Sequence, residues 1–284
     1  MKKDKPLDLN PQFKKALELM EHTSKNIFIT GKAGTGKSTL LDYFRGITKK
    51  KIVVLAPTGV AALNVLGETV HSFFGFKPNI TLHKIKKLSV KRSKIYKSLD
   101  TIIIDEISMV RADLLDCVDR FLRLNGKDPG LPFGGAQIVF IGDLYQLPPV
   151  ITSRERELFQ IQYKNAYFFE SSVFSDFCFE FVELEKIYRQ KDEGFIEILN
   201  AIRNSSVTDE HFSLLNKRAA IALPKKDSDF SIYLTTTNKA AAEVNEERLS
   251  ALRSKIYSCG AEVAGNFNRS SYPADEELNI AVNS

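Results

Sequence analysis

The sequence predicts an α/β protein, a parallel sheet flanked by helices on both faces, and three observations carry that prediction. Four short runs, Asn26-Ile27-Phe28-Ile29-Thr30, Ile52-Val53-Val54-Leu55-Ala56, Thr101-Ile102-Ile103-Ile104 and Gln137-Ile138-Val139-Phe140-Ile141, are apolar without alternation. Strands buried on both faces look like this, whereas strands with one wet face alternate. Helical spacing occupies the gaps at Thr39 to Phe44 and Ala112 to Leu124, as crossovers between parallel strands require. A glycine-rich turn separates the first run from the first of these helices.

Bulk properties narrow the class. A chain of 284 residues holds about one or two globular domains. Its 43% hydrophobic and 26% charged residues exclude disordered and fibrous chains. No apolar run approaches the roughly 20 residues of a membrane span, and the opening Met1-Lys2-Lys3-Asp4-Lys5-Pro6 lacks the apolar stretch of a signal peptide. An intracellular protein with no membrane partner is expected. Cys117, Cys178 and Cys259 are scattered without metal-ligand spacing and read as reduced thiols. The net charge of +5 favours an anionic partner. Its distribution says more: from Thr69 to Leu99 there is no acidic residue, while Lys77, Lys84, Lys86, Lys87, Lys91, Arg92, Lys94 and Lys97 crowd together.

In chain order, Phe13, Ala16, Leu17 and Met20 predict an amphipathic helix over about Pro11 to Glu21, ahead of the first strand. The basic stretch from 77 to 98 interrupts the strand and helix alternation and is expected to be a small insertion. A second α/β segment is expected from about Leu184. There Phe195 to Ile202 fit a helix, Phe230 to Leu234 a strand and Asn238 to Leu249 another helix. The end, from Gly265, is polar and shows no closing element. Two domains follow from this, 1–184 and 185–284, the second incomplete.

Gly31-Lys32-Ala33-Gly34-Thr35-Gly36-Lys37-Ser38 matches the phosphate-loop pattern in full, between a predicted strand and a predicted helix. Gly31, Ala33, Gly34, Thr35 and Gly36 let backbone amides converge on phosphate oxygens, with Thr39 in the following turn. Lys37 neutralises phosphate charge and Ser38 ligates magnesium. The run ending at Ile104 delivers Asp105 and Glu106 beside that loop. Asp105 is placed to hold magnesium, and Glu106 to deprotonate an attacking water. ATP with Mg2+ is the expected ligand pair, and hydrolysis the expected chemistry.

Three further stretches are specific: Ala56-Pro57-Thr58-Gly59-Val60-Ala61-Ala62, Thr69-Val70-His71-Ser72-Phe73, and Gly142-Asp143-Leu144-Tyr145-Gln146-Leu147-Pro148-Pro149. With Asp105-Glu106-Ile107-Ser108-Met109 and Tyr188-Arg189-Gln190, they resemble the Pif family, the petite integration frequency DNA helicases of superfamily one, with wording nearest to bacterial members. The resemblance implies RecA-like domains, with the start of a second one after residue 184. It implies that Gln146 contacts the terminal phosphate and that Arg189 is an arginine finger supplied across the cleft by the second domain. Gln12 would recognise adenine, a solvated helix position being the alternative.

The resemblance also places single-stranded DNA along Thr58 and Gly59, along His71, Ser72 and Phe73, and against Pro148. Thr236 and Asn238 would be second-domain counterparts, where a plain helix cap is the alternative reading. Phe73, Phe74 and Phe76 suit the core equally well. The implied activity is an ATP-driven 5′-to-3′ helicase, a monomer acting on single-stranded and forked or structured DNA in repair, recombination or replication. The expected location is the bacterial cytoplasm, or the nucleus or mitochondrion in a eukaryote. Family members carry two more motor motifs that do not occur before Ser284. The alternative expectation is therefore a nucleotide- and DNA-binding module with little unwinding of its own.

Overall fold

Asn10 opens the first helix by accepting a hydrogen bond from the Phe13 amide at 2.9 Å, and Pro11 supplies a backbone angle already suited to a helix start. This helix, α1 (Pro11–His22), is followed by β1 (Asn26–Gly31), α2 (Lys37–Ile47), β2 (Ile52–Ala56), α3 (Gly59–Asn64), β3 (Glu68–Thr69) and α4 (Val70–Phe74). Then come α5 (Val90–Ser98), β4 (Thr101–Ile104), α6 (Ala112–Asn125), β5 (Gln137–Ile141), α7 (Ser153–Gln162), β6 (Phe179–Leu184) and α8 (Glu193–Arg203). The computed structural model describes residues 9–151, 153–188, 192–219, 232–252, 254–263 and 276–282. The chain divides into two compact units, residues 1–206 and 207–284, so α8 packs with the first.

The first unit is built on a six-stranded parallel sheet in the order β3-β2-β4-β5-β1-β6. Alternate residues of each strand enter opposite layers. Phe28, Ile102, Ile104, Ile138 and Phe140 face α6, meeting Leu115, Val118, Phe121 and Leu122. Ile27, Ile29, Ile103, Val139 and Ile141 face α1 and α2, meeting Phe13, Met20, Leu40 and Phe44. Both layers are dry, which is why these runs carry no polar alternation. The four predicted strands and the helices between them form as expected.

Other elements departed from expectation. The alternating Phe179-Glu180-Phe181-Val182-Glu183-Leu184 forms β6, an edge strand paired with β1 from Asn26↔Phe179 to Gly31↔Leu184. Half of it is wet, so it lacks the continuous apolar signature of its neighbours. The basic insertion contains α5, and buried Asn125 of α6 pins the chain just before that helix. Asn125 accepts from the Leu88 amide at 2.7 Å and donates to the Lys86 carbonyl at 3.2 Å.

The second unit holds α9 (Asp209–Ala219), α10 (Asn238–Ala251), β7 (Ile256–Gly260) and β8 (Glu277–Ala281), the two strands antiparallel. β8 corrects the expectation of an irregular end. Its side chains are largely exposed and leave no buried-face pattern to read. Of the strand expected over Phe230 to Leu234, the first two residues lie outside the described residues. Ile232, Tyr233 and Leu234 are in no strand and are exposed, because a strand requires a paired neighbour that they lack among the described residues.

Candidate active site

The loop between β1 and α2 is shaped by glycines with no room or no alternative. A Cβ on Gly31 would lie 2.5 Å from the Leu184 carbonyl oxygen, and Gly36, which caps α2, has a φ of 91°. Lys37 reaches back over the loop, its Nζ donating to the Gly31 carbonyl at 2.6 Å and the Lys32 carbonyl at 3.2 Å. Buried Thr35 closes the turn by donating its hydroxyl to the Lys32 carbonyl at 2.9 Å. Ala33, Ser38 and Thr39 are exposed at the mouth. Burial lowers the Lys37 pKa, opposed by the charges of Asp143, Glu106 and Asp105. An anion entering this cradle therefore meets a cation that is poorly hydrated and surrounded by its own carboxylates.

Asp105 continues the β4 ladder through its amide, which donates to the Leu55 carbonyl at 2.8 Å, and it is only 7% exposed. Burial raises its pKa to about 6. Glu106 turns out of the strand in the left-handed region, with φ of 50°. Non-glycine residues adopt that conformation at a cost, which marks the turn right after the buried carboxylate. The loop after β5 packs directly on this turn. A Cβ on Gly142 would come within 2.9 Å of the Ile107 side chain and 3.1 Å of its amide nitrogen, so only glycine fits.

Among the described residues no cluster of three His, Cys, Asp or Glu side chains could hold a metal alone. The buried Asp105 carboxylate and the Ser38 hydroxyl are nevertheless hard-oxygen donors of the kind magnesium uses when substrate phosphates and water complete its shell.

Gln146 is exposed on the post-β5 loop, its amide donating to Asp143 Oδ2 at 3.3 Å. Burial, the largest single influence, would raise the Asp143 pKa. Hydrogen bonds from Arg203, the Tyr145 amide and Gln146 outweigh it and hold the carboxyl below its usual range. An open cavity of about 220 Å3 joins Glu106 and Gln146 to Thr58, Val60, Asn64 and Leu147. The predicted base and the phosphate contact implied by the resemblance thus line one cavity with the start of α3, where the resemblance implies DNA contacts.

Thr58 caps α3, accepting from the Ala61 amide at 3.2 Å, and Gly59 is exposed beside it. Ser72 is exposed on α4, while half-buried His71 has its pKa lowered by burial and is neutral at pH 7. Phe73 is partly buried, edge-on to Phe74 and Tyr96 at 5.0 and 5.4 Å. Phe74 and Phe76 are in the core. Pro148 is exposed, whereas Pro149 is buried. In the second unit Thr237 caps α10, with exposed Thr236 and Asn238 on either side.

Gln12 does not stand free: its amide donates to Glu185 at 3.1 Å, while the neighbouring Phe13 ring would lie 3.0 Å from a Cβ on Gly36. Arg189 lies outside the described residues. Asn64, Asp143 and Arg203 were not identified from sequence as site residues. Asp143 stood within a quoted motif without a role, and no spacing signal ties Arg203 to it.

A family model described as PIF1-like helicase matches residues 9–212. The ATP-dependent DNA helicase PIF1 of Saccharomyces cerevisiae is 33% identical over 284 residues, which cover 96% of this chain and 31% of the yeast protein. A crystal structure of Bacteroides Pif1 bound to ssDNA superposes with a TM-score of 0.86 at 36% identity, covering 97% of this chain and 64% of that one. A second, of Bacteroides Pif1 in complex with ADP-AlF3 and ssDNA, gives 0.82 at 35% identity, covering 96% and 64%. The chain spans less than half the length of the curated relatives it matches.

Proposed function

Because this chain belongs to the PIF1-like helicase family, we propose that it is the ATP-hydrolysing motor core of a DNA helicase that moves 5′ to 3′ along single-stranded DNA. Residues 1–184 form the first motor half in this reading, and 185–284 contribute part of the second. The observation that supports it most directly is the shared cavity: Glu106 and Gln146 line it together with Thr58, which brings the proposed base and phosphate contact beside a proposed strand contact.

Lys37 and the amides of Gly31 to Ser38 grip the triphosphate. Glu106 accepts the proton of the attacking water, ADP leaves, and Gln146 reports the terminal phosphate to the DNA-binding surface. Arg189 neutralises charge that develops in the transition state. Magnesium, held by Ser38 and Asp105, supplies positive charge to the terminal phosphates when bound. Backbone and hydroxyl groups at Thr58, Gly59 and Ser72, with His71, Phe73 and Pro148, carry the strand without reading its sequence. In the second unit Thr236 and Asn238 are further strand contacts in this reading, and Gln12 is the adenine contact. Among the described residues no helix is long and apolar enough to cross a membrane.

Phosphate release measured with and without oligo-dT tests the reading. Stimulation by the oligonucleotide is the expected result; an unstimulated rate with intact nucleotide binding would leave a passive nucleotide-dependent clamp.

The basic insertion adds a duplex-facing patch. Lys86, Lys87, Lys91 and Arg92 are exposed, and Ile85 and Leu88 anchor their segment to the core. Reversing all four charges is expected to weaken DNA binding and reduce the salt slope by roughly 2 to 4, at about 0.9 per lost phosphate contact. Fluorescence anisotropy across a salt series reads both quantities, and an unaltered slope would remove the insertion from the DNA path.

A further inference from the structure

The last turn of α8 places one cation against the loop after β5. Arg203 bonds Asp143 Oδ2 through its guanidinium, with side chains only 16% and 1% exposed. The same guanidinium lies over the Tyr145 ring, 4.1 Å from its centroid. Asp143 is the hub of this loop. It accepts from the Tyr145 amide at 3.1 Å, from the Gln146 side chain at 3.3 Å, and through its backbone carbonyl from the Gln146 amide at 2.9 Å. Arg203 and Gln146 therefore share one carboxylate oxygen.

An ion pair this buried contributes little net stability, because desolvating both charges offsets their attraction; its best-attested use is to fix a registry. Here the registry is that of the loop presenting Gln146. The chain entering α8 is tied to the phosphate loop as well, the Tyr188 amide donating to the Gly34 carbonyl at 2.8 Å. Tyr188 thus sits against the phosphate loop and Arg203 against the loop after β5.

We propose that Arg203 is a positioning residue for hydrolysis: it acts through Asp143 to hold Gln146 in the orientation that senses the terminal phosphate. This rests on the functional reading above. Arg203 touches neither nucleotide nor water in this role, so its loss should lower kcat while leaving the ATP KM nearly unchanged.

The test uses the 284-residue chain. Arg203→Gln is expected to lower DNA-stimulated kcat by about tenfold or more with KM within about threefold, and Arg203→Lys to recover part of the loss. Because Arg203 acts through Gln146, Arg203→Gln with Gln146→Ala should be no slower than Gln146→Ala alone. A kcat at the parental level in Arg203→Gln, or losses that multiply in the double variant, overturns the proposal.

Hydrogen exchange reads the same coupling without turnover. The Tyr145 and Gln146 amides should exchange about tenfold faster in Arg203→Gln, and unchanged exchange rejects the role. Should Arg203→Gln fail to fold, Tyr145→Leu removes the stacked ring and keeps the ion pair. It is expected to speed exchange of the Gln146 amide and lower kcat by about threefold, the kcat loss vanishing in the Gln146→Ala background. Parental exchange in that variant decides against Arg203. An unstimulated parental chain would instead count against the motor reading, and leave the exchange result to judge Arg203.

Discussion

Lys37→Ala is expected to abolish productive nucleotide binding, with hydrolysis falling by on the order of a thousandfold or more, the scale of removing a principal transition-state charge contact. Two effects add. The first is electrostatic: Asp105, Glu106 and Asp143 all act on the Lys37 ammonium, and without it they face a triphosphate with less opposing charge. The second is structural, since the Lys37 ammonium also bonds the Gly31 and Lys32 carbonyls and holds the loop in its curled form. Gly31 is buried and Lys32 partly so, and leaving their carbonyls without the ammonium costs about 1 to 3 kcal/mol, a loss that should leave the protein folded. Titration with a fluorescent ATP analogue, alongside a thermal melt, separates the two. Binding within about threefold of the parent would remove the phosphate loop from the explanation of function.

Glu106→Gln should behave in the opposite way, keeping nucleotide binding and lowering hydrolysis by about two to four orders of magnitude. The substitution preserves size and leaves the Asp105 amide bond to Leu55 in place. Glutamine tolerates the left-handed backbone at this position about as well as glutamate does, so the loss would be chemical rather than conformational. What disappears is the carboxylate proposed to accept a proton from water. Trapped ATP on the variant, detected after rapid separation, is the expected readout. Parental turnover would assign the base elsewhere on the cavity wall.

The nucleotide half of this site is the part most legible in sequence. Gly31 to Ser38 are contiguous, and their function depends on local backbone geometry, so a short window suffices. The same holds for Asp105 and Glu106, because a strand buried on both faces announces itself as an unbroken apolar run. β6 was less visible, although its pairing with β1 decides which wall borders the phosphate loop. Its alternating residues carry a weaker signal, and its partner lies some 150 positions away. The aromatic triplet Phe73, Phe74 and Phe76 could not be divided by pattern either. Packing divides it, sinking Phe74 and Phe76 and leaving Phe73 partly buried.

By itself, then, the sequence determined the layer architecture, the phosphate loop, the acidic pair and the family, because each is written in short runs of adjacent residues and, for the family, in the order and spacing of such runs. Only the tertiary structure decided that Gly142 must be glycine against Ile107, that Asp143 is shared between Arg203 and Gln146, and that Glu106 and Thr58 line one cavity. These relations join loops at the ends of different strands. Sheet order and helix docking set such distances, and no local periodicity encodes them.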